Sequence, residues 1–433
     1  MKDLIWKKQG KGENTDPAIM DFLAGEDVEL DKELILFDIK ASAAHVMGLH
    51  QIGILDDEES AKLLAGLLLI EEGINDGTRQ LDSRFEDGHS AIESWLTGMY
   101  GETGGKIHTG RSRNDQVAVA LRLYMKDRLE RLQKICTDIA SVLLERIKTE
   151  ADLPMAGYTH MQSAMPSSAG LWLAGHAEAF IDNAELAALT FQWLDASPLG
   201  TASGFGVNLD LPRAEVAKSL GFERLLVNPQ YAQNSRGKIE LQALSVLSAC
   251  TLDLRRLAWD LSLFTTHEFG FVKLPAQYCT GSSIMPNKNN PDTVELLRAV
   301  HGVVQGAQTE LASVLSLPSG YQRDLQATKP PLMRAFRKGL QALALIPDLL
   351  KGFEWQTERM RASITAEMLA TDHALDLARD GMPFRDAYKT AAAQMRELSD
   401  EGIAESLASR TSPGGCGRLE TEILHTRLQL LQK

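Results

Sequence analysis

The sequence predicts an all-α protein built around a central bundle of five long helices, and three observations lead to this prediction. Segment 116–151 contains neither glycine nor proline. Its apolar residues recur every three or four positions from Val117 to Ile147, which is the spacing of one helix face. Alternation of apolar and polar residues, the pattern of a half-buried strand, is scarce along the 433 residues.

Five such helical patterns follow one another, and the first would be about 50 Å long. They cover residues 116–151, 167–196, 239–269, 292–317 and 331–360. Five long helices in series indicate an elongated bundle, preceded by shorter helices with loops and followed by a small helical cap. The predicted domains are therefore 1–105, 106–360 and 361–433.

The third helical pattern is apolar around more than one face. Its apolar residues are Leu241, Leu244, Val246, Leu247, Cys250, Leu252, Leu254 and Leu257. A helix of this kind needs neighbouring helices on several sides. The core of a single chain of this length hardly provides so many neighbours. We therefore expect a homo-oligomer with these bundles at its centre.

Composition narrows the class of protein. The net charge of −13 disfavours nucleic acid and anionic membranes as partners. The four cysteines are scattered, with no CxxC pair, which suits a reducing compartment. The N-terminus lacks an apolar run, and the longest uncharged stretch, 153–177, contains two prolines and several polar residues. These features predict a cytoplasmic protein.

Polar loops rich in glycine and proline precede four of the long helices. They read "KIHTGRSRNDQ" (106–116), "MAGYTHMQSAMPSS" (155–168), "CTGSSIMPNKNNPD" (279–292) and "PSGYQRDLQATKPP" (318–331). Several basic residues lie in these loops: Arg111, Arg113, Lys288, Arg323 and Lys329. Because helix N-termini favour anions, the loops predict a site for a ligand with several carboxylates, assembled within one subunit or across several.

Taken singly, each of these residues also has a purely structural explanation. Asp115 suits an N-cap, and Asp292 with Glu295 suits a capping box. Ser282 is typical of a turn, and Lys329, next to two prolines, suits an exposed position. The recurrence of such loops before long helices is what favours function.

The residue types limit the chemistry to proton transfer. No HExxH or clustered ligand set indicates a metal, and no glycine-rich phosphate motif indicates a nucleotide. A serine becomes a usable base only where backbone N–H groups and cations stabilise its alkoxide. The Gly-Ser-Ser loop with Lys288 nearby offers such an arrangement.

Several motifs between residues 35 and 390 resemble a known family. "GSSIMPNKNNPD" is similar to the signature loop of the fumarase/aspartase superfamily. "TGRSRNDQV", "GYTHMQ", "SGYQRDLQATK", "GMPFRDAY" and "FDIKASAAHVMGL" resemble the argininosuccinate lyase family within it. The resemblance implies a homotetramer with a core of twenty helices and active sites built from three subunits. It also implies reversible elimination of fumarate from argininosuccinate, without a metal or other cofactor.

The resemblance also implies roles for individual residues. Ser282 would be the general base, Lys288 and Asn290 would stabilise the carbanion's carboxylate, and His160, polarised by Glu295, would handle the proton of the leaving nitrogen. The catalytic residues are thus Ser282, His160, Glu295 and Lys288. Substrate would be held by Ser42, Arg113, Asn114, Thr159, Asn290, Tyr321, Gln326 and Lys329. The signature loop would close over the substrate.

The chain departs from the family's pattern at several places. Ile5 and Trp6 lead into "KKQG" where L-W-G-G-R-F is common, and "AQNSRGKIE" (232–240) replaces the S-D-R-D segment. Arg236 is the candidate substitute for that segment's arginine. Two other functions stay open: a sister lyase such as adenylosuccinate lyase, and a Ser–Lys amidohydrolase with Ser282 or Ser283 as nucleophile. A non-catalytic structural role would not explain why the four catalytic residue types occur together.

Overall fold

A computed structural model describes residues 17–82, 84–394 and 396–432, and this part of the chain is mainly helical. The helices are α1 (Pro17–Ala24), α2 (Asp27–Gln51), α3 (Asp57–Asn75), α4 (Gly88–Tyr100), α5 (Glu102–Gly105), α6 (Arg113–Glu150), α7 (Ala169–Leu194), α8 (Arg213–Ser219), α9 (Pro229–Asn234), α10 (Lys238–Phe264), α11 (Asp292–Val314), α12 (Lys329–Leu343), α13 (Ile346–Gly352), α14 (Thr357–Ala362), α15 (Ala370–Arg379), α16 (Phe384–Ala393), α17 (Asp400–Ala408) and α18 (Thr421–Leu431). The all-α prediction is confirmed. The N-terminal departure at Ile5 and Trp6 lies outside the described residues.

The strands of the described chain are short and pair two by two. They are β1 (Pro154–Thr159), β2 (Gln162–Ser168), β3 (Ala196–Ser197), β4 (Arg224–Leu225), β5 (Val272–Lys273), β6 (Thr280–Gly281), β7 (Asn289–Asn290) and β8 (Glu354–Trp355). β1 and β2 form an antiparallel hairpin, β3 pairs with β4 in parallel, and β5–β8 and β6–β7 are antiparallel. The hairpin was not predicted, because its residues were interpreted as an irregular loop.

Four of the five long helical patterns are confirmed by α6, α7, α10 and α11, and the fifth is wrong. Segment 331–360 divides into α12, α13, β8 and α14. Pro347 lies in the first turn of α13, where its missing N–H costs nothing, whereas inside one continuous helix it would break the hydrogen-bond ladder. Glu354 and Trp355 then pair with Lys273 and Val272.

The N-terminal region also differs from the expected short helices. α2 runs for 25 residues and α3 for 19. α3 begins with a capping box in which Asp56 accepts from the backbone N–H of Glu59 and the Glu59 side chain accepts from that of Asp56. This region therefore builds a substantial helical layer of its own.

The described chain divides into two compact units, which are considered separately. The first contains the described residues up to Glu130, with Leu189–Ser245 and Gly306–Phe336. The second contains Arg131–Ala188, Val246–Gln305 and the described residues from Arg337 onward. The division at 105 and 360 stays a prediction.

The core of the first unit is built by α2, α3 and α4. Its buried residues include Ile35, Leu49, Leu63, Ile70 and Leu96. A neighbouring cluster joins α2 to α6 and α8 through Ala41, Val119 and Val216, among others. These clusters hold the start of α2 and the start of α6 in place, and both helix starts carry candidate site residues.

The core of the second unit contains a cluster of aromatic rings. Trp172 of α7 lies with its ring centroid 5.8 Å from Phe264 and 5.6 Å from Trp355. The guanidinium carbon of Arg146 lies 3.8 Å from the centroid of Phe353, which is a cation–π geometry. The β5–β8 pair brings Trp355 to this cluster, so the unpredicted strand has a packing role.

α5 approaches α4 so closely that one position requires glycine. A Cβ atom on Gly104 would lie 2.4 Å from the carbonyl oxygen of Leu96. The adjacent Gly105 is exposed and would place its Cβ in open space. The turn after Tyr100 therefore depends on Gly104 and tolerates a side chain at Gly105.

We predict opposite effects of alanine at these two neighbouring glycines. Gly104→Ala should lower the free energy of unfolding by about 1–3 kcal/mol, since the backbone of α4 must move. Gly105→Ala should be neutral or stabilise by up to about 1 kcal/mol, since alanine has less freedom in the unfolded chain. Urea unfolding of both variants measures this; equal destabilisation would contradict the close packing.

Candidate active site

The loop before α6 is held by Asp115, which lies within the first turn of that helix. Its carboxylate accepts from Thr201 Oγ1 at 2.9 Å and from the Ala202 backbone N–H at 2.8 Å. It also accepts from the backbone N–H of Ser112 at 3.2 Å. Asp115 thus lies inside α6 and not at the predicted N-cap position, and it fastens a second segment to the helix start.

A pocket of about 310 Å³ lies in the first unit beside this helix start. It brings together five of the predicted substrate-binding residues: Arg113, Asn114, Tyr321, Gln326 and Lys329. Asp27, Glu86, Asp87, Arg236 and Arg323 also line it. Residues more than 200 positions apart thus meet in one place, as the family resemblance implies for substrate binding.

Lys329 is buried at the base of this pocket, contrary to the exposed alternative. Its Nζ lies 2.6 Å from Asp27 Oδ1 and 2.7 Å from Asp31 Oδ1. The backbone N–H of Gly88 donates to the other oxygen of Asp31 at 2.9 Å. Burial lowers the pKa of Lys329, but the charges and hydrogen bonds of the two aspartates outweigh burial and raise it.

Arg113 is likewise paired with acids rather than free for an anion. Its guanidinium donates to Glu86 at 3.3 Å and to Asp87. Asp87 also caps α4 by accepting from the backbone N–H of Ser90. None of these acidic partners was predicted. The sequence contained a signal for these acids, since "FEDGHS" places two of them directly before a helix start.

Arg236 is a buried cation of this pocket, where burial lowers its pKa and the charge of Glu240 opposes this effect. Only 8% of it is exposed, and its Nε and Nη1 have no hydrogen-bond partner within the described residues. Its guanidinium carbon lies 5.4 Å from the ring centroid of Tyr321. Because a buried donor without a partner is costly, Arg236 is suited to an anionic ligand.

The other polar residues of the pocket are already oriented. Asn114 Nδ2 donates to Ser203 Oγ at 3.1 Å. Gln326 Nε2 and Arg323 Nη2 donate to the carbonyl oxygen of Leu23 at 3.0 and 2.9 Å. These bonds orient three side chains that line the pocket.

Ser42 lies in the core and not on the pocket wall. It is fully buried, and Arg111 donates to its hydroxyl at 3.1 Å. That hydroxyl faces Asp38 at 3.5 Å, and Asp38 accepts from His89 Nδ1 at 2.6 Å. Ser42 therefore belongs to a buried polar network. Its direct contact with substrate stays a prediction, because Ser42 does not line the pocket.

This buried network shifts the pKa values of its histidines in opposite directions. Burial beside Arg111 lowers the pKa of His45 to about 3, so its neutral ring donates to the carbonyl oxygen of Thr109 at 3.0 Å. Burial also lowers the pKa of His89, but the charge and hydrogen bond of Asp38 outweigh it and raise that pKa. Burial raises the pKa of Asp38, and His89 more than reverses this.

In the second unit, His160 occupies the turn of the β1–β2 hairpin. His160 and Met161 form this two-residue turn with φ of 55° and 60°, the left-handed region that such hairpins require. Thr159 ends β1 beside it, and both Thr159 and His160 are exposed. The hairpin therefore presents a histidine and a threonine at its tip.

The signature loop lies between β6 and β7, which close its base. The Ser282 hydroxyl oxygen accepts from the backbone N–H groups of Met285 at 3.1 Å and Ile284 at 3.3 Å. Lys288 is exposed and Asn290 half-buried. The local turn thus supplies the backbone donors that were expected around the serine.

Glu295 lies one turn into α11 and is half exposed. Its carboxylate pairs with Arg298 at 3.3 Å, and the Asp292 carboxylate accepts from the Thr280 hydroxyl. Within the described residues of this unit, no hydrogen bond or ion pair joins Glu295 to His160. Their predicted partnership is therefore absent within one chain.

Two kinds of site are absent from the described residues. The described residues contain no group of three or more His, Cys, Asp or Glu side chains placed to hold a metal ion. None of the described helices combines the length and the apolar character needed to cross a bilayer.

Comparison with known sequences places the chain among lyases. A family model described as a lyase matches residues 12–306. The argininosuccinate lyase of Xanthomonas campestris pv. campestris (strain ATCC 33913) is 54% identical over 433 residues, covering all of both chains. That of Stenotrophomonas maltophilia (strain R551-3) is 54% identical over 432 residues, again covering all of both chains.

Comparison with solved structures confirms the fold. EDDS lyase in complex with formate superposes with a TM-score of 0.79 at 22% identity, covering 97% of this chain and 92% of that one. The class II fumarase of Schistosoma mansoni gives a TM-score of 0.71 at 18% identity, covering 89% and 94%. At such identities the likeness concerns the fold alone.

We predict that His89→Gln destabilises the protein more at about pH 6 than at about pH 9. The folded pKa of His89 is raised above 6.5, so its stabilising charge is fully present below that value. This stabilisation is lost as pH rises through the folded pKa, and the variant's deficit should shrink accordingly. Urea unfolding at both pH values measures the effect.

His50→Gln is the matched control for this prediction. His50 contacts Asp57 at 2.8 Å in an exposed pair, which contributes little to stability. Its substitution should change the free energy of unfolding by less than about 1 kcal/mol at either pH. An equal deficit of His89→Gln at both pH values would show that His89 is uncharged in the folded protein.

Proposed function

Because the chain belongs to the argininosuccinate lyases of the fumarase/aspartase superfamily, we propose that it catalyses reversible elimination of fumarate from argininosuccinate, leaving L-arginine. The observation that carries this proposal is that the Ser282 hydroxyl oxygen accepts hydrogen bonds from backbone N–H groups. It is supported by the 54% identity of the chain to such enzymes over its full length. The reaction would serve arginine biosynthesis in the cytoplasm, and its chemistry needs no cofactor.

Ser282 is the proposed general base. Its oxygen already accepts from two backbone N–H groups, which stabilise negative charge on an alkoxide. The alkoxide would take the proton from the carbon beside the succinyl carboxylate. The electron pair of that C–H bond would move into the carboxylate as an aci-form, which Lys288 and Asn290 would stabilise.

His160 is the proposed acid for the leaving nitrogen. When the C–N bond breaks and the double bond of fumarate forms, the guanidino nitrogen must gain a proton. A histidine at an exposed hairpin tip can reach a bound ligand, and its imidazole can donate a ring proton. Glu295 would polarise it from another subunit, since the two lack a contact within one chain.

The pocket of the first unit is the proposed site for the arginine part of the substrate. Arg113, Asn114, Tyr321, Gln326 and Lys329 line it. Arg236 adds a cation with two nitrogen atoms that have no hydrogen-bond partner in the part of the chain that the structure describes, which supports its role as the substitute for the missing segment's arginine. Thr159 would contact the substrate from the hairpin, and Ser42 would act through Arg111.

A homotetramer with a twenty-helix core is the proposed assembly. In support, exposed apolar side chains recur on three of the long helices. They are Leu186 and Leu189 of α7, Leu252 and Trp259 of α10, and Leu296 and Val303 of α11. Such residues are typical of surfaces that a partner covers. Each active site would then combine loops of three subunits, with the signature loop closing over the substrate.

We predict that Ser282→Ala lowers kcat for argininosuccinate by at least about 100-fold, because the proton acceptor is lost. The ultraviolet absorbance of released fumarate measures the rate, and size-exclusion chromatography checks that the oligomer is intact. Ser283→Ala is the control, since Ser283 is the neighbouring exposed serine, and it should keep most of the activity.

Three outcomes would contradict the proposal. Near-normal turnover by Ser282→Ala would place the base elsewhere. Fumarate release from adenylosuccinate but not from argininosuccinate would favour the sister lyase. Covalent labelling of Ser282 or Ser283 by a fluorophosphonate probe, with no elimination, would favour the amidohydrolase.

A further inference from the structure

The segment between β3 and α8 holds two consecutive residues in the left-handed region of the backbone, although neither is glycine. Ala202 has a φ of 47° and Ser203 a φ of 56°. A residue with a side chain is strained in this region, and the strain persists only where surrounding contacts impose the conformation. The contacts of Ala202 and Ser203 should therefore show what requires this shape.

The carboxylate of Asp115 is the contact that requires it. Asp115 is fully buried, and it accepts from the backbone N–H groups of Ala202 at 2.8 Å and Ser203 at 3.3 Å. Thr201, which precedes them in right-handed conformation, adds its hydroxyl at 2.9 Å. Successive N–H groups in a right-handed and then a left-handed conformation form a concave anion site. Hydrogen bonds to a buried carboxylate are strong, so they offset the strain of the segment.

The conformation determines where the Ser203 hydroxyl lies. Its oxygen accepts from Asn114 Nδ2 at 3.1 Å and lies 2.6 Å from Ser112 Oγ. Ser112 Oγ in turn accepts from the backbone N–H of Asn114 at 3.2 Å. Ser112 and Asn114 line the pocket of the first unit, whereas Ser203 is not among its lining residues. The Ser203 hydroxyl is thus placed to act on the pocket through Asn114.

We propose that Ser203 is a positioning residue that fixes the side-chain amide of Asn114 for substrate binding. This inference rests on the proposed function, in which Asn114 contacts argininosuccinate. An amide carries a donor on one side and an acceptor on the other, and a rotation of its plane by about 180° exchanges them. The hydrogen bond to Ser203 commits Nδ2 of Asn114 and so keeps the amide from turning.

Two other roles for Ser203 make different predictions. If its hydroxyl only stabilises the strained segment, its loss lowers the fraction of folded enzyme, so kcat falls while KM is unchanged. If the hydroxyl contacts the substrate itself, its loss weakens binding whether or not Asn114 is present. If Ser203 acts through Asn114, its loss weakens binding only while Asn114 is present.

The first experiment measures steady-state kinetics with argininosuccinate for the wild type, Ser203→Ala and Ser203→Gly. We expect both variants to raise KM by about 3- to 10-fold, with less than about a twofold change in kcat, as for one lost hydrogen bond. Ser203→Gly separates binding from stability, because glycine relieves the left-handed strain and this variant should unfold at a higher urea concentration than Ser203→Ala. The control is Ser219→Ala, which removes an exposed hydroxyl bonded to the carbonyl oxygen of Val216 and should behave as the wild type.

Binding calorimetry in a Ser282→Ala background then completes a double-mutant cycle between Ser203 and Asn114. Ser203→Ala should raise the Kd for argininosuccinate by about 3- to 10-fold when Asn114 is present. In combination with Asn114→Ala its effect should be less than about twofold. An equal loss of affinity in both backgrounds overturns the inference, as does a lower kcat with an unchanged KM.

Neutron crystallography of the wild type and Ser203→Gly gives a readout that does not depend on activity. Deuterons on the amide nitrogen distinguish the two orientations of Asn114, and Nδ2 should face Ser203 in the wild type. In Ser203→Gly the amide should be turned or should occupy both orientations, and one unchanged orientation overturns the inference. If the wild type neither binds argininosuccinate nor releases fumarate, the proposed function fails, and the orientation of Asn114 still decides the role of Ser203.

Discussion

The requirement that buried charges be paired organises the pocket of the first unit. Lys329 is nearly inaccessible to water, and an ammonium ion in such a place is stable only beside carboxylates. Asp27 and Asp31 provide them from the first two turns of α2, and Gly88 at the start of α4 fixes Asp31. One buried cation therefore ties the start of α12 to the starts of two other helices.

Arg113 extends the same principle to the start of α6. Its acidic partners, Glu86 and Asp87, immediately precede α4, so the two ion-paired sets share that helix as a support. Asp115, two residues further along α6, fastens the segment around Ala202 by accepting backbone hydrogen bonds. The pocket is thus built from helix starts whose orientation is decided by charge pairing, which explains why its lining residues are far apart in the chain.

The proposed catalytic groups of the second unit lie on turns, in contrast to the buried, ion-paired residues of the pocket. Ser282, Lys288 and His160 lie on turns held only at their bases by short antiparallel pairs, β6–β7 and β1–β2. A loop closed at its base can move toward a ligand as a unit. The two hydrogen bonds to Ser282 lie within the loop, so they can persist during such a movement. The pocket residues of the first unit are thus buried and ion-paired, whereas the proposed catalytic residues of the second unit lie on turns.

The sequence by itself determined the helical class, four of the five long helices and the residue types of the chemistry, because helix periodicity and loop composition are local properties. Arg113, Asn114, Tyr321, Gln326 and Lys329 were predicted as binding residues, and the tertiary structure brings them to one pocket. Only the tertiary structure decided that Lys329 is paired with Asp31, which is 298 positions away, and that two nitrogen atoms of Arg236 have no hydrogen-bond partner within the described residues. It also decided the hairpin at His160, the break at Pro347 and the burial of Ser42. Pairing and burial depend on which distant segments meet, and no local pattern records that.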